Sequence, residues 1–208
     1  MPLSLALSRD GNTIVTGHLD GSVLLWDIRQ CRAGAAAPLL EARDQPHPVV
    51  ALAAVPPDDS LLAVAAKDGS VRLWDFRGAA LLRLMRHPGF ALGTSGGSGR
   101  PRCRLGVSPD GRLLAAGGAD GGVWVWDMRS GAAGGGGAAG GGGAGRGGEP
   151  RQLRAMATGY PSPGGGGGGG AGGPPAHRDA VVAAAFSYDM SALVSADKAG
   201  GLAFWLME

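Results

Sequence analysis

The stretch "SPDGRLLAAGGADGGVWVWDMR" (108–129) contains two short apolar runs, each preceded by an Asp-Gly turn. The runs "LLAAG" and "VWVWD" are short enough for strands, and turns of this kind join antiparallel strands into hairpins. No helical period competes over a comparable length. The stretch therefore predicts two strands of an antiparallel sheet, with Trp126 near the end of the second.

The same pattern occurs four times along the chain, in segments 3–29, 49–77, 102–129 and 180–207. Each segment has three apolar runs and two polar turns, and its third run carries a tryptophan: Trp26, Trp74, Trp126 and Trp205. The first two tryptophan spacings lie close to the period of roughly 40–45 residues of a four-stranded propeller blade. The pattern is that of WD repeats, and it predicts an all-β WD40-type β-propeller with four blades.

The blade boundaries follow from these segments and from a glycine-rich tract. We assign blade one to residues 1–44, blade two to 45–92, strands one to three of blade three to 93–130, and blade four to 177–208. Residues 131–176 contain several glycine runs and cannot bury enough apolar surface to offset the entropy of ordering. They are predicted to be a disordered insertion, in which 149–157 is a candidate for the fourth strand of blade three.

The arrangement of the four blades is the main architectural question. Blade four has no fourth strand in the sequence, and Leu3–Leu7 is already used as the first strand of blade one. We therefore expect an open arc, about half of a seven-bladed ring, with apolar blade faces and a strand edge exposed at its ends. This predicts that the chain is part of a longer protein. A small closed ring of four blades is the alternative.

Repeated polar residues are expected to hold each blade together. An aspartate in the second turn can bind a histidine from the loop that enters the blade, and that histidine can reach the tryptophan or a strand hydroxyl. The sequence offers Asp20, Asp68, Asp120 and Asp197 for the aspartate, and His47 and His177 for the histidine. Thr16 supplies the hydroxyl in blade one, whereas Val64 and Ala116 stand at the equivalent positions of blades two and three, so the network is expected to be incomplete.

Composition and motifs argue against several classes of function. The 19 basic and 17 acidic residues nearly cancel, so no global charge favours nucleic acid. No apolar run is long enough to span a membrane, and Cys31 and Cys103 show no metal-ligand spacing. The "HRD" at 177–179 lacks the other protein-kinase motifs, and no GK[ST] follows the glycine runs. We predict a cytoplasmic, non-catalytic protein that uses no metal or cofactor and binds other proteins.

An Asp-x-Arg sequence follows three of the tryptophans and ends at Arg29, Arg77 and Arg129. One interpretation is a set of solvated strand ends with local ion pairs of little energetic value. The other is a row of arginines, repeated from blade to blade, that binds an acidic protein or a phosphoinositide. Trp124 lies outside the repeat position and is expected to pack between blades.

Three stretches go beyond the general pattern. "TGHLDGSVLLWDIR" (16–29), then "PGF" (88–90) before "GVSPDGRLLAAGGADGGVWVWDMRSG" (106–131), and finally "LVSADKAGGLAFW" (193–205) resemble, in this order, the C-terminal WD-repeat propeller of the autophagy-related protein 16 family. The spacing from Asp197 to Trp205 is two residues longer than the aspartate-to-tryptophan spacing of the other blades. In this longer turn, blade four resembles the last blade of that family's propeller.

The resemblance implies a scaffold that supports autophagosome formation and lipidation of autophagy-related protein 8, peripheral to the forming autophagosome membrane. Its partners would be proteins of the autophagy machinery. The chain lacks the coiled coil and the amino-terminal binding helix of that family. The alternatives are a WD-repeat scaffold of another assembly, such as a ubiquitin ligase or an RNA-processing complex, and, third, a propeller enzyme.

Overall fold

The computed structural model describes residues 1–8, 11–32, 34, 37–43, 45–57, 60–78, 80–86, 104–129, 151–153 and 177–207. Within these ranges the chain forms four antiparallel sheets in which the strands follow one another in chain order. We call the sheets blades one to four. The alternation of apolar and polar residues, interrupted by Asp-Gly turns, explains why each segment folds as a meander of short strands.

Blades one and two have four strands each. Blade one consists of β1 (Pro2–Leu7), β2 (Thr13–His18), β3 (Val23–Asp27) and β4 (Leu40–Ala42), with the short helix α1 (Ile28–Arg32) between β3 and β4. Blade two consists of β5 (Val49–Val55), β6 (Leu61–Ala66), β7 (Val71–Asp75) and β8 (Ala80–Met85).

Blade three has a short first and a short last strand, and blade four has three strands. Blade three consists of β9 (Gly106–Val107), β10 (Leu113–Gly117), β11 (Val123–Asp127) and β12 (Arg151–Leu153). The strand expected somewhere in 149–157 is β12, which pairs with β11. Residues 131–150 and 154–176, the remainder of the predicted insertion, lie outside the described residues. Blade four consists of β13 (Val181–Phe186), β14 (Ala192–Asp197) and β15 (Leu202–Leu206).

The tryptophan of each later blade is buried against the blade before it. Trp74 shares a cluster with Val15 and Val23 of blade one. Trp126 shares a cluster with Val71 and Leu73 of blade two. In the same way, Trp205 shares a cluster with Val123 and Val125 of blade three. The core is therefore a series of similar interfaces between successive blades.

The blades form an open arc, as predicted. The main contacts between sheets join blade one to two, two to three and three to four. The first strands of the blades surround a cavity of about 710 Å³, lined on one side by Leu3 and Leu5 and on the other by Val182 and Ala183. The all-β propeller and its open form are thus confirmed, and the closed four-bladed ring is not the arrangement observed.

The second turn of blade four differs from the expectation. In blade two the amide of Gly69 donates to the carbonyl of Ala66, and in blade four the amide of Gly200 donates to the carbonyl of Asp197. The two turns therefore have the same length, and the longer turn expected in blade four is not there. Asp197 is the last residue of its strand and is equivalent to Ala66. This is why Asp197 lies farther along the sequence from Trp205 than Asp68 lies from Trp74.

Candidate interaction site

Blade four contains a buried polar network that connects strand, loop and tryptophan. Nδ1 of His177 lies 3.2 Å from Oδ2 of Asp197, and Nε2 lies 2.6 Å from Oγ of Ser195. The indole nitrogen of Trp205 donates to the same Oγ at 2.7 Å. A carboxylate can only accept, so Nδ1 of a neutral ring carries the proton, and Nε2 accepts the hydroxyl proton of Ser195. Every member is satisfied, so the network fixes the entry loop to the blade.

Blade one builds a related contact from different residues. The indole nitrogen of Trp26 donates to Oγ1 of Thr16 at 2.9 Å, as expected for the hydroxyl of this blade. The histidine at Oγ1 is His18, whose Nε2 lies 2.9 Å away. His18 is the last residue of β2 and so stands where Asp197 stands in blade four. Asp20 instead accepts from the amide and hydroxyl of Ser22.

Blade two places Gln45, and not His47, at the position of His177. Lys67 donates its amide to the carbonyl of Pro48, just as the residue after Asp197 donates to Ala180, and this register aligns Gln45 with His177. Gln45 is buried, and its Oε1 accepts from Nη1 of Arg72 at 3.1 Å. His47 is half exposed, and its Nε2 lies 3.9 Å from Oδ2 of Asp68.

The indole nitrogen of Trp74 has no hydrogen-bond partner among the described residues of the chain. The reason is local, because Val64 occupies the position at which Thr16 and Ser195 carry hydroxyls. In blade three Ala116 occupies that position, and Trp124, directly opposite it on β11, packs between blades two and three. Trp126 is buried in the same cluster.

The turn aspartates of the first three blades stabilise the turns in which they lie. Oδ1 of Asp68 accepts from the amide and hydroxyl of Ser70, and Asp120 accepts from the amide of Gly122. Hydrogen bonds from Ser22 lower the pKa of Asp20. Burial acts to raise the pKa of Asp68, but the Ser70 hydrogen bonds and the charge of Arg86 outweigh it, and the pKa is lowered.

The first turns of blades three and four contain aspartates of the same kind. A hydrogen bond from the Ser108 hydroxyl lowers the pKa of Asp110. Hydrogen bonds from Ser187 and Ser191 lower the pKa of Asp189. Both carboxylates therefore stabilise their turns in the ionised form.

The Asp-x-Arg sequences lie at the same end of the third strand in blades one to three. In each, the aspartate Oδ1 accepts the backbone amide of the arginine, at 2.8 Å for Arg29, 2.9 Å for Arg77 and 2.8 Å for Arg129. All three arginines are exposed. The aspartates thus have a structural function, and the three arginines follow the same end of the third strand in successive blades. The Arg129 guanidinium also donates to the carbonyl of Asp110 at 3.0 Å.

A pocket of about 320 Å³ opens at this end of the strands, which we call the rim, between blades one and two. Its wall is mostly apolar and includes Leu25, Leu62 and Phe76, and Arg77 lies among its lining residues. An apolar recess beside a positive charge can accept an apolar side chain of a partner that carries a nearby acidic group.

Within the described part of the chain, no group of three or more His, Cys, Asp or Glu side chains is placed to hold a metal ion. A search of the same residues for a helix that is long and apolar enough to cross a membrane finds none.

Three members of these networks were not identified from the sequence: Ser195, His18 and Gln45. Ser195 could have been found, because it precedes Asp197 by two residues on a strand whose alternation is clear. His18 and Gln45 give weaker signals, since the first replaces an aspartate and the second replaces a histidine. Their roles depend on the register between strands and loops, which the repeat pattern alone does not give.

The geometry defines a fold class, the all-β propeller in open form. The family model "WD domain, G-beta repeat" matches residues 3–27, 41–75 and 102–127, which lie in blades one, two and three. These segments are WD40 repeats, so the repeat type predicted from the sequence is confirmed. WD40 propellers generally serve as non-catalytic platforms for protein interactions.

Relatives of different names match this chain. It is 30% identical over 128 residues to "Protein groucho" of Drosophila melanogaster, covering 62% of the chain and 16% of groucho. It is 28% identical over 128 residues to "Autophagy-related protein 16" of Arabidopsis thaliana, covering 62% of the chain and 23% of that protein. It is 25% identical over 125 residues to "Protein tipD" of Dictyostelium discoideum, covering 60% and 19%. The chain therefore spans less than a quarter of each relative, and the matches do not single out the autophagy-related protein 16 family.

The fold itself is shared with a chain in the "Crystal Structure of Mitotic Checkpoint Complex", with a TM-score of 0.64 and 18% identity. That comparison covers 100% of this chain and 49% of the other. The arc thus superposes on about half of a larger chain.

Proposed function

We propose that this chain is a protein-interaction scaffold that supports autophagosome formation, like the propeller of autophagy-related protein 16. In this function it would help to direct lipidation of autophagy-related protein 8 through its protein partners. The observation that carries the proposal is the match to autophagy-related protein 16 over 128 residues, at 28% identity. The order of the three family-like stretches, from blade one to blade four, supports it.

The rim with Arg29, Arg77 and Arg129 is the surface that we propose for the partner. The three arginines are exposed, and the pocket between blades one and two adds an apolar recess beside Arg77. An acidic protein segment with an apolar anchor residue is complementary to this combination. Exposed charges of this kind contribute more to association rate and specificity than to affinity.

A second candidate function is a WD40 scaffold outside autophagy, for example in a ubiquitin ligase or an RNA-processing assembly. The match to groucho supports it, because at 30% identity over 128 residues it is as strong as the match to autophagy-related protein 16. The geometry of the rim is compatible with either function, so the identity of the partners distinguishes them.

The experiment is affinity purification of the tagged chain from its own cells, with the bound proteins identified by mass spectrometry. The wild type is compared with the triple variant Arg29→Gln, Arg77→Gln and Arg129→Gln. The control is Arg178→Gln, which removes an exposed arginine from the loop that enters blade four, outside the row. Lipidated autophagy-related protein 8 is measured in cells that lack the gene and carry each version.

Autophagy proteins that are recovered with the wild type and the control, but lost with the triple variant, would support the proposal and its surface. A matching fall in lipidated autophagy-related protein 8 would link that surface to the process. Recovery of ubiquitin-ligase or RNA-processing subunits without autophagy proteins, and unchanged lipidation in cells that lack the gene, would establish the second candidate instead.

A further inference from the structure

The repeating interface between blades has two different sides. One side is the tryptophan face of a blade, and the other is formed by two apolar residues on the third strand of the preceding blade. Three such pairs occur, and each packs toward the next blade: Val23 and Leu25, Val71 and Leu73, and Val123 and Val125. Successive side chains of a strand point to opposite faces of the sheet, so these residues lie on the face opposite to the tryptophan of their own blade.

Blade four carries a fourth pair with the same spacing from its tryptophan, Leu202 and Phe204. They are 57% and 46% exposed, although the other members of this repeat are buried or half-buried. Leu206 extends the same face and is 74% exposed. Where Leu206 stands, the first three blades have Asp27, Asp75 and Asp127. Blade four therefore presents an apolar face larger than that of any other third strand, with no following blade among the described residues to cover it.

Blade one presents the complementary side. Trp26 is half-buried, whereas Trp74, Trp126 and Trp205 are buried by the blades that precede them. On the same face as Trp26, as the strand pairing shows, lies Leu5, which is 64% exposed. Among the described residues, blade one therefore has the tryptophan side of a blade interface without a partner for it, and blade four has the partner side without a tryptophan packed against it.

We propose that these two faces bind each other between two copies of the chain. Phe204 and Leu202 of one copy cover the Trp26 face of the second, and the second copy repeats the contact at the other end. Each contact continues an interface that the molecule already makes three times. Two arcs of four blades give eight, which is within the range of about four to eight blades found in closed propellers.

This contact is head-to-tail, so its two sides use different residues. An alternative dimer would pair the free edge of β15 with β15 of a second copy, through the same residues on both sides. That edge has neither lysine nor proline, the residues that usually protect an exposed strand. Since both arrangements use β15, the test has to separate them.

The experiment measures the mass of the purified 208-residue chain by sedimentation and native mass spectrometry across a concentration series. We expect twice the 20.7 kDa of one chain. Phe204→Glu and Leu5→Glu each place a charge in the proposed contact, and each is expected to weaken the dimer by at least about 100-fold. The matched control is Tyr188→Glu, which replaces a large apolar side chain that is 92% exposed in the first turn of blade four. Circular dichroism in the near ultraviolet shows that each variant is folded.

Mixing the two variants distinguishes the arrangements. A Leu5→Glu copy keeps its Phe204 face and a Phe204→Glu copy keeps its Trp26 face, so the mixture is expected to recover one head-to-tail contact and to dimerise. A folded wild type that stays monomeric would overturn the proposal, as would chains longer than two copies. Pairing between β15 edges would give a different result. Leu5→Glu alone would still form a dimer, and mixing would not bring the Phe204→Glu copy into one. That result would also overturn the proposal.

Discussion

Oγ of Ser195 lies 2.6 Å from Nε2 of His177, and both residues are almost completely buried. The contact joins the middle strand of blade four to the loop that enters the blade. The same oxygen accepts the indole N–H of Trp205. One hydroxyl therefore satisfies two buried polar groups, which makes Ser195 the centre of the network.

Replacement of Ser195 by alanine should be costly for this reason. Ser195→Ala leaves Nε2 of His177 and the indole N–H of Trp205 buried without that partner, and we expect a loss of about 1–3 kcal/mol in the free energy of unfolding. Urea unfolding at one fixed protein concentration measures it. The control Ser191→Ala removes an exposed hydroxyl from the preceding turn and should cost less than about 1 kcal/mol. Equal losses in both variants would show that the network does not hold the blade.

The reverse change should be tolerated in blade two. Val64→Thr introduces a hydroxyl at the position of Thr16 and Ser195, within reach of the indole nitrogen of Trp74. The new hydrogen bond should offset the cost of burying the hydroxyl, so the free energy of unfolding should stay within about 1 kcal/mol of the wild type. Val64→Ala is the control, because it removes methyl groups from the interface with blade one and should cost about 1–3 kcal/mol. The prediction fails if threonine is as destabilising as alanine in urea unfolding.

Two glycines at equivalent turn positions provide a matched test of how the blades contact each other. Gly11 and Gly111 have φ values of 69° and 67°, so an alanine at either position has the same backbone strain. A Cβ at Gly11 has no described atom within 4 Å, whereas one at Gly111 would lie 1.5 Å from the carbonyl oxygen of Pro56 in blade two. Gly111→Ala should therefore be less stable than Gly11→Ala by at least about 1–3 kcal/mol. Similar unfolding midpoints would mean that the first turn of blade three does not press on blade two.

The turn aspartates predict a loss of stability in acid. The pKa values of Asp20, Asp68, Asp110 and Asp189 lie below the ordinary value of 3.8. Because the folded state favours the ionised carboxylates, their contribution is fully present above pH 3.8 and is lost as the pH falls through the folded-state values. Urea unfolding between pH 6 and pH 2.5 should show this decline, and Asp110→Asn should reduce its slope below about pH 4. Constant stability over that range would contradict the assignment.

The repeat pattern is a local property, so the sequence predicts it well. Alternating apolar residues and Asp-Gly turns each depend on a few neighbouring residues, and they place the strands of blades one, two and four close to where the structure has them. The hydroxyl of Thr16 could be paired with Trp26 for the same reason, since both residues lie in one hairpin. Local turn chemistry also explains the Asp-x-Arg sequences.

The network partners were harder to predict, because they depend on how a loop is aligned with a neighbouring strand. Asp197 was expected in a longer turn, but its backbone hydrogen bonds place it at the end of β14. His47 was expected beside Asp68 as the equivalent of His177; it does lie 3.9 Å from Asp68, but the register places Gln45 at the position of His177. A shift of two residues keeps the same alternation of faces, so nothing in the local pattern distinguishes these alternatives.

The sequence by itself therefore determined the all-β class, the four repeats and their tryptophans. These follow from the period of two and the turn residues, both of which can be seen in short windows. Only the tertiary structure decided which histidine, serine or glutamine completes each blade and which apolar faces are left uncovered. Burial and register arise from packing one blade on the next, and residues far apart in the chain determine them together.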